Sequence, residues 1–183
     1  MKHVVSKYHR RSIRLKGYDY TQRGIYFVTI CTFNRQCLFG EILDGKMRLN
    51  EWGQIVLNEW ERSAVIRPEI QLDKFVVMPN HVHGIIVLND DGRGTARRAP
   101  TREQFGKPVA HSVPTIIRSF KSAVTKYINE IQHVPNAPIW QRNYYEHIIR
   151  DENEFNRVRQ YIIDNPAQWE NDRNNPSVPM AVA

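Results

Sequence analysis

Hydrophobic and polar positions in the first half of the chain predict three strands, a helix and a small hairpin. The first strand is β-branched and aromatic throughout, which is typical of a buried strand. Asn50 can cap the helix, whose apolar residues recur at helical spacing. Asp44-Gly45 is a strong hairpin signal, and Pro79-Asn80 turns one strand sharply into the next. The predicted segments are a strand from Ile25 to Phe33, a hairpin of Leu38 to Ile42 with Lys46 to Leu49, a helix from Glu51 to about Ala64, and strands from Gln71 to Val77 and from His81 to Leu88.

The second half of the chain predicts two more helices around one more strand. A helix begins at Ser112 or Thr115 and runs to about Gln132 with a continuous apolar stripe. A less regular strand covers Ile139 to Ile149. Asp151 is placed to cap a last helix, and Pro166 ends or bends it.

Without the hairpin, the predicted order is strand, helix, strand, strand, helix, strand, followed by one appended helix. This order is the ferredoxin-like pattern of the α+β class, an antiparallel sheet with helices on one side. The first and third strands are central in that topology, so the strand that begins at His81 is expected in the middle of the sheet.

The chain of 183 residues suits one domain, which we predict over 17–172. We expect a basic arm over 1–16, a mobile basic loop over 89–112 and a disordered tail over 173–183. The formal net charge of +7 favours a polyanionic partner, and nucleic acid is the leading candidate. Solvated basic segments with no partner are the alternative.

Several classes of protein are disfavoured by the sequence. No apolar run approaches the roughly 20 residues that span a bilayer, and the first residues lack the apolar core of a signal peptide. Cys31 and Cys37 are too few for a disulfide framework or a sulfur-ligated zinc site, which fits a reducing cytoplasm. We therefore expect a cytoplasmic protein with no membrane partner.

His81 and His83 lie in one strand and are two residues apart. Side chains alternate faces along a strand, so both imidazoles share a face, with Cα atoms roughly 6.6 Å apart at about 3.3 Å per residue. Two imidazoles at that separation can reach one cation. The alternative is a pair of half-buried histidines bonded to the neighbouring backbone.

On the last helix, Tyr161 and Asn165 are four residues apart and therefore neighbours on one face. Tyr161 stands one position beside the apolar stripe, so it could instead be an amphipathic core tyrosine.

Five motifs, in this order, resemble the single-tyrosine HUH transposases and, within them, the REP-associated tyrosine transposases. The resemblance covers roughly Arg10 to Trp169. The motifs are Gly24-Ile25-Tyr26-Phe27-Val28-Thr29, Val77-Met78-Pro79-Asn80-His81-Val82-His83, Ser119-Phe120-Lys121, Trp140-Gln141-Arg142-Asn143-Tyr144-Tyr145-Glu146-His147 and Tyr161-Ile162-Ile163-Asp164-Asn165-Pro166.

The resemblance implies that Tyr161 is a nucleophile and that His81 and His83 bind a divalent metal, Mg²⁺ or Mn²⁺. It makes Asn165 a third ligand, although many insertion-sequence relatives have glutamine there, and Glu146 or Gln168 could contribute instead. No small-molecule cofactor is expected.

The implied reaction is cleavage and rejoining of single-stranded DNA beside short hairpins through a covalent 5′-phosphotyrosine. One nucleophile per chain requires a homodimer or sequential turnover for two cleavages. The residues that we expect to contact DNA are Arg10, Arg11, Arg14, Arg93, Arg97, Arg98, Arg102, Lys121 and Arg142.

The chemistry is consistent with this resemblance. A phenol with a pKa near 10 is ionised to about one part in a thousand at pH 7, so forming the nucleophile costs roughly 4 kcal/mol. A nearby cation lowers that cost.

Two other classes of function stay open: a non-catalytic module that binds single strands on its sheet, and a metal-dependent phosphoesterase that uses bound water. The same chemistry could also serve a host task rather than mobility.

Overall fold

A four-stranded antiparallel sheet organises the computed structural model, which describes residues 18–89 and 109–178. Its strands lie in the order β4-β5-β1-β6, so β1 and β5 are central, which confirms the ferredoxin-like prediction. The strands are β1 (Gly24–Cys31), β4 (Ile70–Met78), β5 (His81–Leu88) and β6 (Tyr145–Ile149), and β2 (Gly40–Leu43) pairs with β3 (Lys46–Leu49) in a separate hairpin.

Two helices cover one face of this sheet, α1 (Glu51–Val65) and α2 (Val113–Gln132). Asn50 caps α1 by accepting a hydrogen bond from the amide of Gly53, as the sequence predicted. Ser112 caps α2 in the same way. The main core lies between these helices and the inward side chains of the sheet, and its members include Tyr26, Val28, Ile30, Trp60, Val82, Ile86, Ile117 and Phe120.

The appended helix, α3 (Glu152–Asp164), lies on the opposite face of the sheet. Its Ile162 belongs to a second, smaller cluster with Phe27, Ile85 and Ile149. Asp151 caps α3 by accepting from the amide of Glu154. The two faces therefore differ: one carries the main core, and the other carries the histidines and α3.

The last strand is shorter than predicted. It begins at Tyr145, and the chain before it makes only an isolated bridge between Trp140 and Thr32. The Lys121 ammonium donates to the carbonyls of Gln141 and Arg142. These bonds occupy backbone groups in the segment that leads into β6.

The end of the described chain is packed rather than disordered. Asn174 and Asn175 are buried, although the sequence predicted a disordered tail from 173. The carbonyl of Asn174 accepts from the amide group of Asn80, which fixes this segment against the start of β5. Residues 179–183, the predicted arm over 1–16 and 90–108 of the predicted loop lie outside the described residues.

Within residues 18–89 and 109–178, no helix combines the length and apolar character needed to cross a membrane.

Gly84 of β5 has no side chain, and the indole of Trp60 packs against its backbone in the main core. A Cβ at Gly84 would lie 2.4 Å from Cζ2 of Trp60. The indole is held there by parallel stacking on Phe75, at 4.7 Å between ring centroids. Any side chain at Gly84 must therefore displace a packed ring.

We predict that Gly84→Ala lowers the free energy of unfolding by about 1–3 kcal/mol, because overpacking displaces Trp60. Urea denaturation of Gly84→Ala, Trp60→Phe and the double variant measures the coupling. Since the smaller ring relieves the clash, the double variant should lose less than the two single losses combined. Additive losses would contradict the contact.

Candidate active site and metal centre

His81 and His83 are fully enclosed on the α3 face of β5, with relative exposures of 0% and 1%. Their Nε2 atoms lie 3.0 Å apart and face each other. The ring of His83 also stacks on Phe27, at 5.4 Å between centroids. The sequence expectation that the two imidazoles share a face holds in the structure.

Hydrogen bonds hold the outer nitrogens of both rings. His81 Nδ1 lies 2.8 Å from Oδ1 of Asn80. The amide nitrogen of Asn80 donates to two backbone carbonyls, those of Arg35 and Asn174, so its oxygen must face the histidine. His81 Nδ1 therefore carries the proton and donates it, which leaves Nε2 with a free lone pair. Such fixing of the tautomer is typical of histidines that bind metals.

His83 has a similar partner on the neighbouring strand. Its Nδ1 lies 2.9 Å from Oγ1 of Thr29, the residue directly opposite it in β1. When His83 donates this bond, both Nε2 atoms present lone pairs to the same small space. Two such acceptors at 3.0 Å repel one another unless a proton or a cation lies between them.

Both histidines are neutral at pH 7. Burial lowers the pKa of His81 to about 4, although the Asp172 carboxylate opposes the shift. Burial and the neighbouring His81 lower the pKa of His83 as well. Neutral imidazole is the form that binds a metal ion.

Tyr161 lies beside this pair. Its hydroxyl oxygen is 3.2 Å from His83 Nε2, and its side chain remains 46% exposed. Burial and the charge of Asp172 raise the pKa of Tyr161. An exposed ring with its hydroxyl against the histidines is unlike a core tyrosine, which was the alternative prediction.

Two contacts fix α3 so that Tyr161 reaches the site. Ile162, the next residue, inserts into the small core beneath the helix. Arg159 makes two hydrogen bonds to the carboxylate of Asp73 on β4, at 2.7 and 2.5 Å. Because Tyr161 follows Arg159 by two residues, this ion pair anchors the turn that carries the hydroxyl.

Asn165 and Asp172 complete the cluster. Asn165 is 2% exposed, and its Nδ2 lies 3.4 Å from Oδ2 of Asp172. That same carboxylate oxygen lies 3.8 Å from His81 Nε2. The buried Oδ1 of Asn165 accepts no hydrogen bond of good geometry from the described residues. The amide group is nevertheless close enough to His81 to raise its pKa and close enough to Tyr161 to lower its pKa.

The donor set fits a metal ion. One ligand atom from each of His81, His83 and Asp172 lies within 4.8 Å of the others, and all three residues are buried. Two imidazole nitrogens and a carboxylate suit first-row divalent ions. The unpartnered oxygen of Asn165 is a fourth candidate donor, and a buried acceptor of this kind needs a partner.

Other predicted site residues lie elsewhere. Glu146 points to the α1–α2 face, where its Oε2 accepts from Tyr144, so it cannot join the histidines. Gln168 is exposed. Lys121 uses its ammonium to bind backbone carbonyls, and burial lowers the pKa of that group to about 8. The predicted contacts Arg10, Arg11, Arg14, Arg93, Arg97, Arg98 and Arg102 lie outside the described residues.

Sequence reasoning missed three members of the site: Asp172, Asn80 and Thr29. Asp172 lies after the last helix in a stretch without periodicity, so no pattern marked it. Chemistry offered one indication of Asp172. Two histidines and one amide form a metal site without a negatively charged ligand, and a search for carboxylates after Tyr161 would have included Asp172. Asn80 and Thr29 lay inside two of the quoted motifs but were given no role.

We predict that Asp172→Asn weakens binding of Mn²⁺ by at least about tenfold, because it removes the only formal negative charge of the donor set. Titration calorimetry measures the affinity. Asp164→Asn is the matched control, since Asp164 is exposed at the end of α3 and should leave the affinity unchanged. Equal affinity in wild type and Asp172→Asn would exclude the carboxylate as a ligand.

Two known proteins are similar to this chain in sequence. A relative from Haemophilus influenzae, named only as an uncharacterized protein, is 42% identical over 171 residues, which cover 91% of this chain and 93% of that protein. A second protein of that organism, named "Putative REP-associated tyrosine transposase", is 26% identical over 152 residues, which cover 82% of this chain and 74% of that protein. No protein-family model matches the chain.

Two solved structures are also similar. A REP-associated tyrosine transposase bound to a REP hairpin has a TM-score of 0.48 and 21% identity, covering 87% of this chain and 72% of that chain. A putative transposase from Deinococcus radiodurans has a TM-score of 0.39 and 19% identity, covering 84% of this chain and 98% of that chain. The chain is thus similar in sequence, at 26% identity, to a relative named as a putative REP-associated tyrosine transposase.

Proposed function

We propose that this chain cleaves and rejoins single-stranded DNA at hairpin-associated sites, with Tyr161 as the nucleophile, and so carries out DNA transposition. The observation that carries the proposal is the 3.2 Å contact between the Tyr161 hydroxyl and His83 Nε2, inside a buried donor set that fits a cation. The similarity to a relative named as a putative REP-associated tyrosine transposase supports DNA as the substrate class.

In the cleavage step, the Tyr161 oxygen attacks the phosphorus of a phosphodiester. A bond forms between that oxygen and phosphorus, and the bond from phosphorus to the 3′ oxygen breaks. The phenolic proton is lost and the departing 3′ oxygen takes up a proton, so the products are a 5′-phosphotyrosine and a free 3′ hydroxyl. Because the new bond is also a phosphodiester, a 3′ hydroxyl of another strand can reverse the step and release Tyr161.

In this proposal, activation of Tyr161 depends on a cation held beside it. Burial and Asp172 raise the pKa of Tyr161, so the phenol does not ionise readily in this environment. A divalent ion bound by His81, His83 and Asp172 would supply positive charge that stabilises the phenolate and the attacked phosphate. The amide of Asn165 lies close enough to Tyr161 to lower its pKa, which assists in the same direction. We propose Mg²⁺ or Mn²⁺ as the native ion.

A single strand is the proposed substrate because the site lies on the face of a sheet. Tyr161 is half-exposed there, and an unpaired strand can bring its phosphate to that surface.

We propose the cytoplasm as the place of reaction, where the free thiols of Cys31 and Cys37 stay reduced. Two cleavages then use a homodimer or two successive turnovers of one subunit.

We predict that wild-type protein with Mn²⁺ forms a covalent adduct with a labelled single-stranded library that carries a hairpin beside randomised flanks. Tyr161→Phe should form none, because the ring remains but the attacking oxygen is lost. The adduct is measured on a denaturing gel. Tyr127→Phe is the matched control, since it removes a hydroxyl from a similarly exposed tyrosine on α2 and should leave the adduct intact.

Different results separate the competing functions. Equal cleavage by Tyr161→Phe would indicate hydrolysis by a bound water, the phosphoesterase alternative. A non-catalytic module would be indicated by two results together: the His81→Ala, His83→Ala double variant still binds single-stranded DNA, and the wild-type protein cleaves no member of the library. Chelation of the metal should abolish the adduct but not protein folding, which circular dichroism checks.

The basic arm and loop are proposed to contact the DNA backbone. We predict that replacing Arg93, Arg97, Arg98 and Arg102 together by glutamine weakens binding of single strands and flattens its salt dependence. Each lost phosphate contact should reduce the slope of log K against log salt by about 0.7. Fluorescence anisotropy at several salt concentrations measures both quantities. An unchanged affinity and slope would remove this segment from the DNA interface.

A further inference from the structure

Tyr145 shares a cross-strand row with the residues of the site. In the register of the sheet, His83 of β5 lies opposite Thr29 of β1, and Thr29 lies opposite Tyr145 of β6. Side chains of directly paired residues project from the same face. Tyr145 therefore stands on the α3 face, in line with His83, on the edge strand where a polynucleotide can approach.

The ring of Phe27 connects Tyr145 to the proposed nucleophile. Phe27 contacts Tyr145 edge-on at 6.3 Å between centroids, and it contacts Tyr161 edge-on at 6.0 Å. Phe27 itself is only 8% exposed, whereas Tyr145 and Tyr161 are 42% and 46% exposed. Two accessible tyrosines thus flank one buried ring, and one of them carries the attacking oxygen.

The exposure of Tyr145 contrasts with that of the residue before it. Tyr144 faces the main core and donates its hydroxyl to Glu146. Of these two adjacent tyrosines, one therefore packs against the core and the other is exposed beside the site. An aromatic ring in this position is suited to stack on a nucleobase, since every base has a π face and each stacked base contributes measurably to affinity.

We propose that Tyr145 is a positioning residue that stacks on the base of a nucleotide flanking the attacked phosphate. This inference rests on the proposed binding of single-stranded DNA at the site. Stacking fixes the position of one base, so the adjoining phosphate is held near the Tyr161 hydroxyl rather than sampling the open surface. The contact involves the face of the base and tolerates different sequences, whereas hydrogen bonds elsewhere would select the site.

Photo-crosslinking tests the stacking directly. The full chain with Tyr161→Phe is mixed with Mn²⁺ and a short oligothymidylate that contains 5-iodouracil, irradiated, and digested for mass spectrometry. We expect the cross-linked peptide to carry the nucleotide on Tyr145. Because Tyr161→Phe lacks the attacking oxygen, the readout does not depend on cleavage.

Binding variants separate stacking from packing. Tyr145→Leu keeps an apolar side chain over Phe27 but has no π face, so the affinity for oligothymidylate should fall about 5- to 100-fold. Tyr145→Trp should restore most of that affinity. Tyr127→Leu is the matched control, since Tyr127 is 38% exposed on the helix face and should bind as wild type does. Thermal unfolding is compared for all variants.

The proposal is supported only when Tyr145 is cross-linked, Tyr145→Leu weakens binding and Tyr145→Trp recovers it. A cross-link at other residues, an unchanged affinity in Tyr145→Leu, or an equal loss in Tyr145→Trp overturns it, and so does failure of the strand to bind. The covalent adduct assay on Tyr161 stays independent. Adduct formation without a Tyr145 cross-link rejects the stacking role alone, whereas a cross-link without an adduct rejects the nucleophile alone.

Discussion

The alternation of side chains along β5 is the constraint on which the whole arrangement depends. Val82 and Ile86 face α1 and α2 and belong to the main core, while His81 and His83 face α3. A shift of one residue in register would exchange the two sets and place both imidazoles in the hydrophobic core. The strand that holds the fold together therefore also fixes the position of the histidines, in the middle of the sheet where neighbours on both sides restrain it.

The two histidines are buried, and the surrounding residues provide hydrogen-bond partners for only some of their ring nitrogens. Asn80 and Thr29 bind the outer nitrogens, but the inner nitrogens face one another at 3.0 Å with the carboxylate of Asp172 nearby. Acceptors that converge on one point are unfavourable unless positive charge lies among them. A cation bound there would satisfy all of them together and would offset the raised pKa of Tyr161. The donor set therefore suits a cation on packing grounds as well as on chemical grounds.

Packing and polar contacts together hold α3 on the face of the sheet opposite α1 and α2. Ile162 is the one residue of α3 in the cluster of four buried residues, and Phe155 and Val158 pack against that cluster while only partly buried. The paired hydrogen bonds from Arg159 to Asp73 tie α3 to β4 at an irregularity in the strand pairing, between Leu72 and Phe75. A helix that is held by a small core, the Arg159–Asp73 pair and the contact of Glu154 with His147 keeps Tyr161 against His83 and still leaves its ring accessible.

The amino-acid sequence by itself determined the elements, their order and the histidine pair, because these depend on local periodicity and on turn residues such as Asn50 and Asp44-Gly45. The choice of strand order followed from the ferredoxin-like pattern. Tyr161 and Asn165 could be named as candidates since they are neighbours on one helix turn. Tertiary structure alone decided that Asp172 joins His81, that Asn80 is held by the carbonyl of Asn174, and that Glu146 faces the other side. The first two contacts join residues that are far apart in the chain, so only the folding of α3 and the following turn back onto β5 brings them together. The side on which Glu146 lies depends on the register of β6 against β1, where it pairs with Val28, and local periodicity does not set that register.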